Sequence, residues 1–208
     1  MLHYLQKSRP NSLTPSADAF TALGFRVLKN RFLVAPYRLG DTFFTLKART
    51  LDTKEFFQEH AVSQRGLFNI GAVTPGCDVF IVESEIDCAV LHEIGYTAVS
   101  VLNASQKRME PEVLAKLLTA KRIFLIGDQD APGQKCMTAI GKWIPKEQLY
   151  RITFEDSKDI GELARSAKRN LGLLGTFKEQ FRDLIREAAP TKKMQQEERW
   201  ATRIKYQV

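Results

Sequence analysis

The sequence predicts an α/β protein: a parallel four-stranded sheet with helices on both faces, preceded by a small basic β-rich subdomain. Three observations predict it. From residue 78 onward, short buried-strand candidates alternate with helical patterns of about 10–15 residues, the rhythm of strand–helix–strand units in a parallel sheet. Upstream, "RFLVAPYRLGDTFFTLKART" holds two β-rich runs around Leu39-Gly40-Asp41, a predicted hairpin. The net charge of +7 is uneven: residues 1–50 carry Lys7, Arg9, Arg26, Lys29, Arg31, Arg38, Lys47 and Arg49 against Asp18 and Asp41 only.

Taken in order, "TPSADAFTALG" predicts a short helix with Thr14 as N-cap, Pro15 at the first position and Gly24 as its stop. Pro36 confines the first β-rich run to an edge or a bulge. "TKEFFQEHAVSQRGLFNIG" reads as a connector with at most a helical turn. "DVFIV" is the first strand of the regular part. "SEIDCAVLHEIG" then places Ile86, Val90, Leu91 and Ile94 near helical spacing and ends on Gly95. "TAVSVL", "RIFLIG" and "LYRITF" are the next strands, separated by "PEVLAKLLTAK", opened by Pro111, and "GQKCMTAIGKWI". "DIGELARSA" is helical, and "TFKEQFRDLIREAAP" sets Phe177, Phe181, Leu184 and Ile185 on one helical stripe that packs on the domain. The expected divisions are 1–75, 76–170 and 171–208.

Bulk properties exclude several classes. At 208 residues, 44% hydrophobic and 26% charged, the chain has the composition of a globular protein of one domain with an appendage. No apolar run approaches the roughly 18 residues of a membrane span, and "MLHYLQKSRPNSLTPS" lacks a secretory core. Cys77, Cys88 and Cys136 show no CxxC spacing, which argues against a zinc ribbon and for a reducing, cytoplasmic setting. The basic N-terminal segment suggests a polyanion partner such as nucleic acid, with a solvated surface as the alternative.

The chemistry is concentrated at predicted strand ends. In an open α/β sheet, reactive groups collect past the carboxyl ends of the strands, where strand order reverses. Glu83 follows "DVFIV", Asp128 and Asp130 follow "RIFLIG", and Asp159 follows "LYRITF". In a 2-1-3-4 strand order Glu83 and the aspartate pair converge, and Asp87, one helical turn on, could face the same crevice. Two carboxylates ~4 Å apart repel by about 4 kcal/mol at an effective dielectric near 20. A divalent cation between them would offset that, and a few carboxylates completed by water and phosphate oxygens are the ligand set of Mg²⁺. His3, His60 and His92 are isolated, so a zinc hydrolase is disfavoured.

"VESEIDCAVLHEIG", "LIGDQDAPG" and "SKDIGEL" resemble the three signature segments of the Toprim domain, shared by bacterial-type primases, topoisomerases and some nucleases. The first motif, a strand followed by E-G-x-x-D, is Glu83-Ser84-Glu85-Ile86-Asp87 here, with serine in place of glycine. The second, D-x-D-x-x-G, is intact as Asp128, Asp130 and Gly133; of the looser third only Asp159 carries over. "VAPYRLGDTFFTLKART" and "RGLFNIG" are similar to the small basic subdomain preceding Toprim in phage-type primase-helicases, whose K-x-R pair corresponds to Lys47 and Arg49. The resemblance spans roughly residues 30–165.

What it implies is a Toprim-like fold and metal-dependent chemistry at a phosphodiester. Glu83, Asp128 and Asp130 would be catalytic; Glu83, Asp87, Asp128, Asp130 and Asp159 would hold Mg²⁺ or Mn²⁺. Lys47, Arg49, Arg65 and Lys158 would bind nucleic acid or nucleotide. The leading expectation is a primase-type nucleotidyltransferase making short RNA primers on single-stranded DNA from nucleoside triphosphates during DNA replication. With no cysteine-based zinc module and no G-x-x-x-x-G-K-[ST], it would need a replicative helicase or template-reading protein in trans. The alternatives are a Toprim endonuclease and an accessory nucleic-acid-binding protein with a vestigial site. A DxD phosphatase is disfavoured because the aspartate pair follows the third strand, not the first.

Overall fold

In the computed structural model, the described residues are 15–51, 55–58, 65–154, 157–164 and 174–188. Thr14, Lys7, Arg9 and the tail beyond Pro190 lie outside them. The N-terminal sheet has four antiparallel strands in chain order: β1 (Arg26–Leu28), β2 (Phe32–Leu39), β3 (Thr42–Thr50) and β4 (Phe56–Gln58). The second sheet is parallel, with strands β5 (Asp78–Val82), β6 (Ala98–Ser100), β7 (Arg122–Leu125) and β8 (Leu149–Arg151). Its spatial order is β6-β5-β7-β8, the expected 2-1-3-4.

Four details of the N-terminal part differ from the sequence expectation. Helix α1 is Ala17–Ala22, capped by Ser16, whose hydroxyl accepts the Ala19 N–H at 3.1 Å. Ser16 prevails because the Glu93 carboxylate fixes its own N–H and hydroxyl at 2.9 and 2.8 Å. Strand β1 was not anticipated; it joins β2 through Lys29 and Asn30, both at positive φ, the mirror-image turn that suits a twisted hairpin. β2 is interior, not an edge. However, β1 reaches only Val34, so Pro36 falls where β2 has lost that neighbour, one residue from the register shift at Tyr37/Arg38. β4 replaces the expected connector, since a three-residue strand exists only through its pairing with β3. The turn at Gly40, φ +57°, is as expected.

In the parallel half the helices are α2 (Glu85–Glu93), α3 (Pro111–Leu117) and α4 (Ala131–Gly141), with a helical turn at 160–164 and α5 (Leu174–Glu187) at the end. Gly95 at φ +88° stops α2 as expected. α5 packs its stripe on the sheet: Phe177 and Phe181 are fully buried, and the Phe181 ring lies 5.3 Å from Phe80 and 5.1 Å from Tyr96. At the amino ends of the strands, Arg122 pairs with Asp78, its Nε donating at 2.9 Å, and spreads over Phe124 at 5.1 Å.

One apolar core joins both sheets: Phe25, Phe68 and Tyr37 meet in series as tilted rings at 5.0 and 5.8 Å, and Phe68 forms an antiparallel bridge to Ser100 at the end of β6. Among the described residues no helix is long and apolar enough to cross a membrane. Phe181→Ala is expected to lower unfolding free energy by about 3–5 kcal/mol in urea denaturation, because the ring vacated is fully enclosed. A cost below 1 kcal/mol would mean that α5 is not docked as described.

Candidate active site

The parallel register sets Ile81 beside Leu125, so Glu83 and Gly127 leave the sheet side by side at the carboxyl edge. The Glu83 carboxylate turns toward the β7–α4 loop and accepts the Asp128 N–H at 2.7 Å. Two glycines make room. A Cβ on Gly133 would collide with Glu83 Oε1 and stand 2.9 Å from the Asp128 carbonyl oxygen; one on Gly127 would stand 2.7 Å from Met137 Cγ and 3.3 Å from Glu83 Oε1. The glycine that closes D-x-D-x-x-G is required because a carboxylate from another strand occupies the place of its side chain.

Asp130 is the N-cap of α4, its Oδ1 accepting the Gly133 N–H at 2.9 Å, while its Oδ2 lies 3.9 Å from Lys158 Nζ. The loop after β8 comes to the same place, since the Gln129 N–H bonds the Lys158 carbonyl at 3.1 Å. Asp159 follows, accepting the Glu162 N–H at 2.6 Å. The structure thus gathers Glu83, Asp128, Asp130, Asp159 and Lys158 at one rim. Asp87 has a different setting: its Oδ2 accepts the Ser84 hydroxyl at 2.6 Å and its N–H bonds Ser84 Oγ, which makes it part of the cap of α2.

Charge accumulates at this rim. Burial pushes the Glu83 carboxyl above its ordinary range; the Asp128 N–H opposes the shift, and the charges of Asp128 and Asp130 add to it. Burial also raises Asp128, reinforced by Asp159 and Asp130 and only partly opposed by Lys158. Cys136, behind the site on α4, is pushed up to about 11 by burial and by Glu83, so it stays a thiol and offers no thiolate ligand. Among the described residues no three acidic, histidine or cysteine groups stand together so as to hold a metal ion between them. Mg²⁺ does not need three, since it binds through one or two carboxylates with water and phosphate oxygens for the rest. Half-buried carboxylates that repel one another fit such an ion.

The basic pair is placed less simply. Lys47 and Arg49 lie on the face of β3 shared by Leu33, Ala35 and Tyr37, turned toward α2 and not out to solvent. With Phe56, Ser84 and Glu85 they line a pocket of about 100 Å³ at the seam between the sheets. Lys47 Nζ pairs with the buried Glu85 carboxylate at 3.0 Å and donates to the Leu102 carbonyl at 3.1 Å. Glu85 also accepts the Tyr37 hydroxyl, whose titration is raised far out of reach by burial and by Glu85. Sequence reasoning missed Glu85 and Tyr37; a second glutamate two residues after Glu83 was the available signal. Arg65 is exposed, its carbonyl accepting the Glu110 N–H at 3.1 Å.

No protein-family model matches the chain. The Twinkle homolog protein, chloroplastic/mitochondrial, of Arabidopsis thaliana is 29% identical over 143 residues; these cover 58% of this chain but only 20% of that protein. Among solved structures, one similar chain comes from bacteriophage T7 lagging-strand DNA polymerase interacting with gp4 primase domains bound to an RNA/DNA hybrid and dTTP. Its TM-score is 0.65 at 20% identity, covering 85% of this chain and 89% of that one. The DnaG catalytic core follows with a TM-score of 0.62 at 14% identity, covering 90% and 73%. The fold is therefore that of primase catalytic cores, as the motif resemblance implied.

Carboxyls raised in the folded state favour the protein while protonated, and that contribution is lost as pH rises through their elevated values. Without divalent metal, thermal stability is expected to fall from the ordinary carboxylate range upward. Added Mg²⁺ should restore more of it at pH 7.5 than at pH 5 in scanning calorimetry, and Asp128→Asn should remove most of the Mg²⁺ effect. Gly133→Ala should fold yet bind Mg²⁺ weakly, because the new methyl expels Glu83 from its seat.

Proposed function

We propose that the chain is a primase-type catalytic core that joins ribonucleotides into short primers on single-stranded DNA. The observation that carries this reading is the Glu83 carboxylate seated on the Asp128 amide, next to Asp130 and Asp159, within the fold of primase cores. A divalent cation, Mg²⁺ or Mn²⁺, bound at Asp128 with Asp130 and Asp159 beside it would neutralise phosphate charge and orient the attacking oxygen.

The chain's own groups account for the other tasks. Glu83, half-buried and with its proton affinity raised, is suited to take the proton of the attacking hydroxyl. Its bond from the Asp128 N–H fixes which oxygen faces the rim. Lys158, largely exposed, can swing from Asp130 to an incoming triphosphate. Arg49 and Lys47 present positive charge from the seam, and binding to the strand should weaken steeply with salt. Cys77, Cys88 and Cys136 are free thiols, in keeping with a reducing, cytoplasmic setting. A helicase or template-reading module would act beside this core in this reading.

Incubated with single-stranded templates, ribonucleoside triphosphates and Mg²⁺, the chain is expected to yield oligoribonucleotides. Asp128→Asn/Asp130→Asn should abolish them, and Glu83→Gln, which can still accept the Asp128 N–H, should slow synthesis about 10²–10⁴-fold. Failure on varied templates with either metal would overturn the reading. Metal-dependent nicking of plasmid without nucleotides would replace it by strand scission.

A further inference from the structure

Beside β4 lies a second cleft, about 330 Å³, lined by Lys47, Phe56, Phe57, Gln58, Leu102 and Asn103. Its composition is unusual for a surface. Phe56 and Phe57 are 59% and 51% exposed, two large rings in succession on a strand of three residues. Local contacts account for part of this: the Phe56 ring lies 5.3 Å from Lys47 Nζ and 5.6 Å from the Arg49 guanidinium carbon, and Phe57 meets Phe32 edge-on at 5.7 Å. About half or more of each residue is still exposed.

The polar wall is unfinished as well. Gln58 Nε2 is buried and has no hydrogen-bond acceptor among the described residues. A buried amide donor left unpaired costs about 1–3 kcal/mol, so it is retained where something else satisfies it. Opposite stands Asn103, whose Oδ1 accepts the Ser105 N–H at 2.9 Å. Its loop is pinned by Gln106, which accepts the Leu102 N–H at 2.8 Å and donates to the Gly66 carbonyl at 3.2 Å. Lys47 bonds the Leu102 carbonyl and closes the floor.

A flat ligand with apolar faces, a hydrogen-bonding rim and an attached negative charge matches these walls. We propose that this cleft is a nucleobase site, in which one base of a single-stranded nucleic acid stacks on the exposed Phe56 ring, on the face of β4 shared with Lys47, while the amides of Gln58 and Asn103 bond its rim. Stacking on aromatic side chains supplies affinity for any base, and amides that read the polar edge supply preference. The inference rests on the primase reading and deepens it: the acidic rim handles phosphate, and this cleft holds a base of the same substrate. The Lys47–Glu85 pair connects the two, since Glu85 lies two residues after Glu83.

The test uses the full chain, fluorescence anisotropy and paired DNA oligonucleotides of equal length, one normal and one with abasic positions throughout. The normal strand should bind about tenfold more tightly. Phe56→Leu should bring the affinities for the normal and abasic strands together. Gln58→Ala, which removes an unpaired amide and so leaves folding intact, should alter the ranking of homopolymer strands. A 2-aminopurine strand should be quenched by the wild-type chain and not by Phe56→Leu. Quenching of 2-aminopurine riboside triphosphate instead of the strand would keep the base site and assign it to the incoming nucleotide. Equal binding of normal and abasic strands, or variants indistinguishable from wild type, would overturn the base site and leave the primase reading standing. A chain that binds neither strand nor nucleotide would overturn both.

Discussion

The hydrogen bond from the Asp128 amide to the Glu83 carboxylate is the constraint on which the site depends. It links two loops 45 positions apart in the chain, and it is possible only because β5 and β7 are neighbours in parallel register. Gly127 and Gly133 exist in the shape they do because that carboxylate takes up the space in front of them. The same loop runs on to the start of α4, where the Asp130 carboxylate accepts the Gly133 N–H. Acid placement, helix start and loop path are thus one arrangement.

A second constraint governs how the two sheets meet. Tyr37 and Lys47, from adjacent strands of the antiparallel sheet, both reach Glu85 at the start of α2. A buried ion pair of this kind adds little net stability, since desolvation offsets most of the attraction, but losing one partner strands a charge. Its effect is geometric: it fixes the height of β3 above α2, and with it the position of Arg49 and Phe56 over the seam. The apolar series Phe25, Phe68 and Tyr37 supplies the cohesion, and the ion pair supplies the alignment.

The parallel half was legible because its strands are buried runs and its helices carry their own boundary signals, as Gly95 does at the end of α2 and Pro111 at the start of α3. Convergence of Glu83 with Asp128 and Asp130 followed from strand order alone, once order 2-1-3-4 was assumed. What could not be read was set by partners distant in the chain. Ser16 caps α1 because Glu93, 77 residues away, holds it, and nothing local distinguishes it from Thr14. β4 is a strand only through its pairing with β3. Asp87 shares helical phase with Glu83, yet the serine at position 84 captures it into a cap, which a glycine there would not do. Lys47 and Arg49 were identified by type, but their inward orientation depended on which face of β3 meets α2.

The pairing of Asp78 with Arg122 has an effect far from where it sits. Both residues belong to the amino ends of the central strands, and there the acid is cancelled by a guanidinium that rests on the rings of Phe124 and Tyr150. The opposite margin keeps its carboxylates, with Lys158 as partial compensation. The carboxylates without a paired guanidinium thus gather at the carboxyl end of the strands, where the proposed chemistry would take place. A small multivalent cation diffusing past would be drawn to that one end.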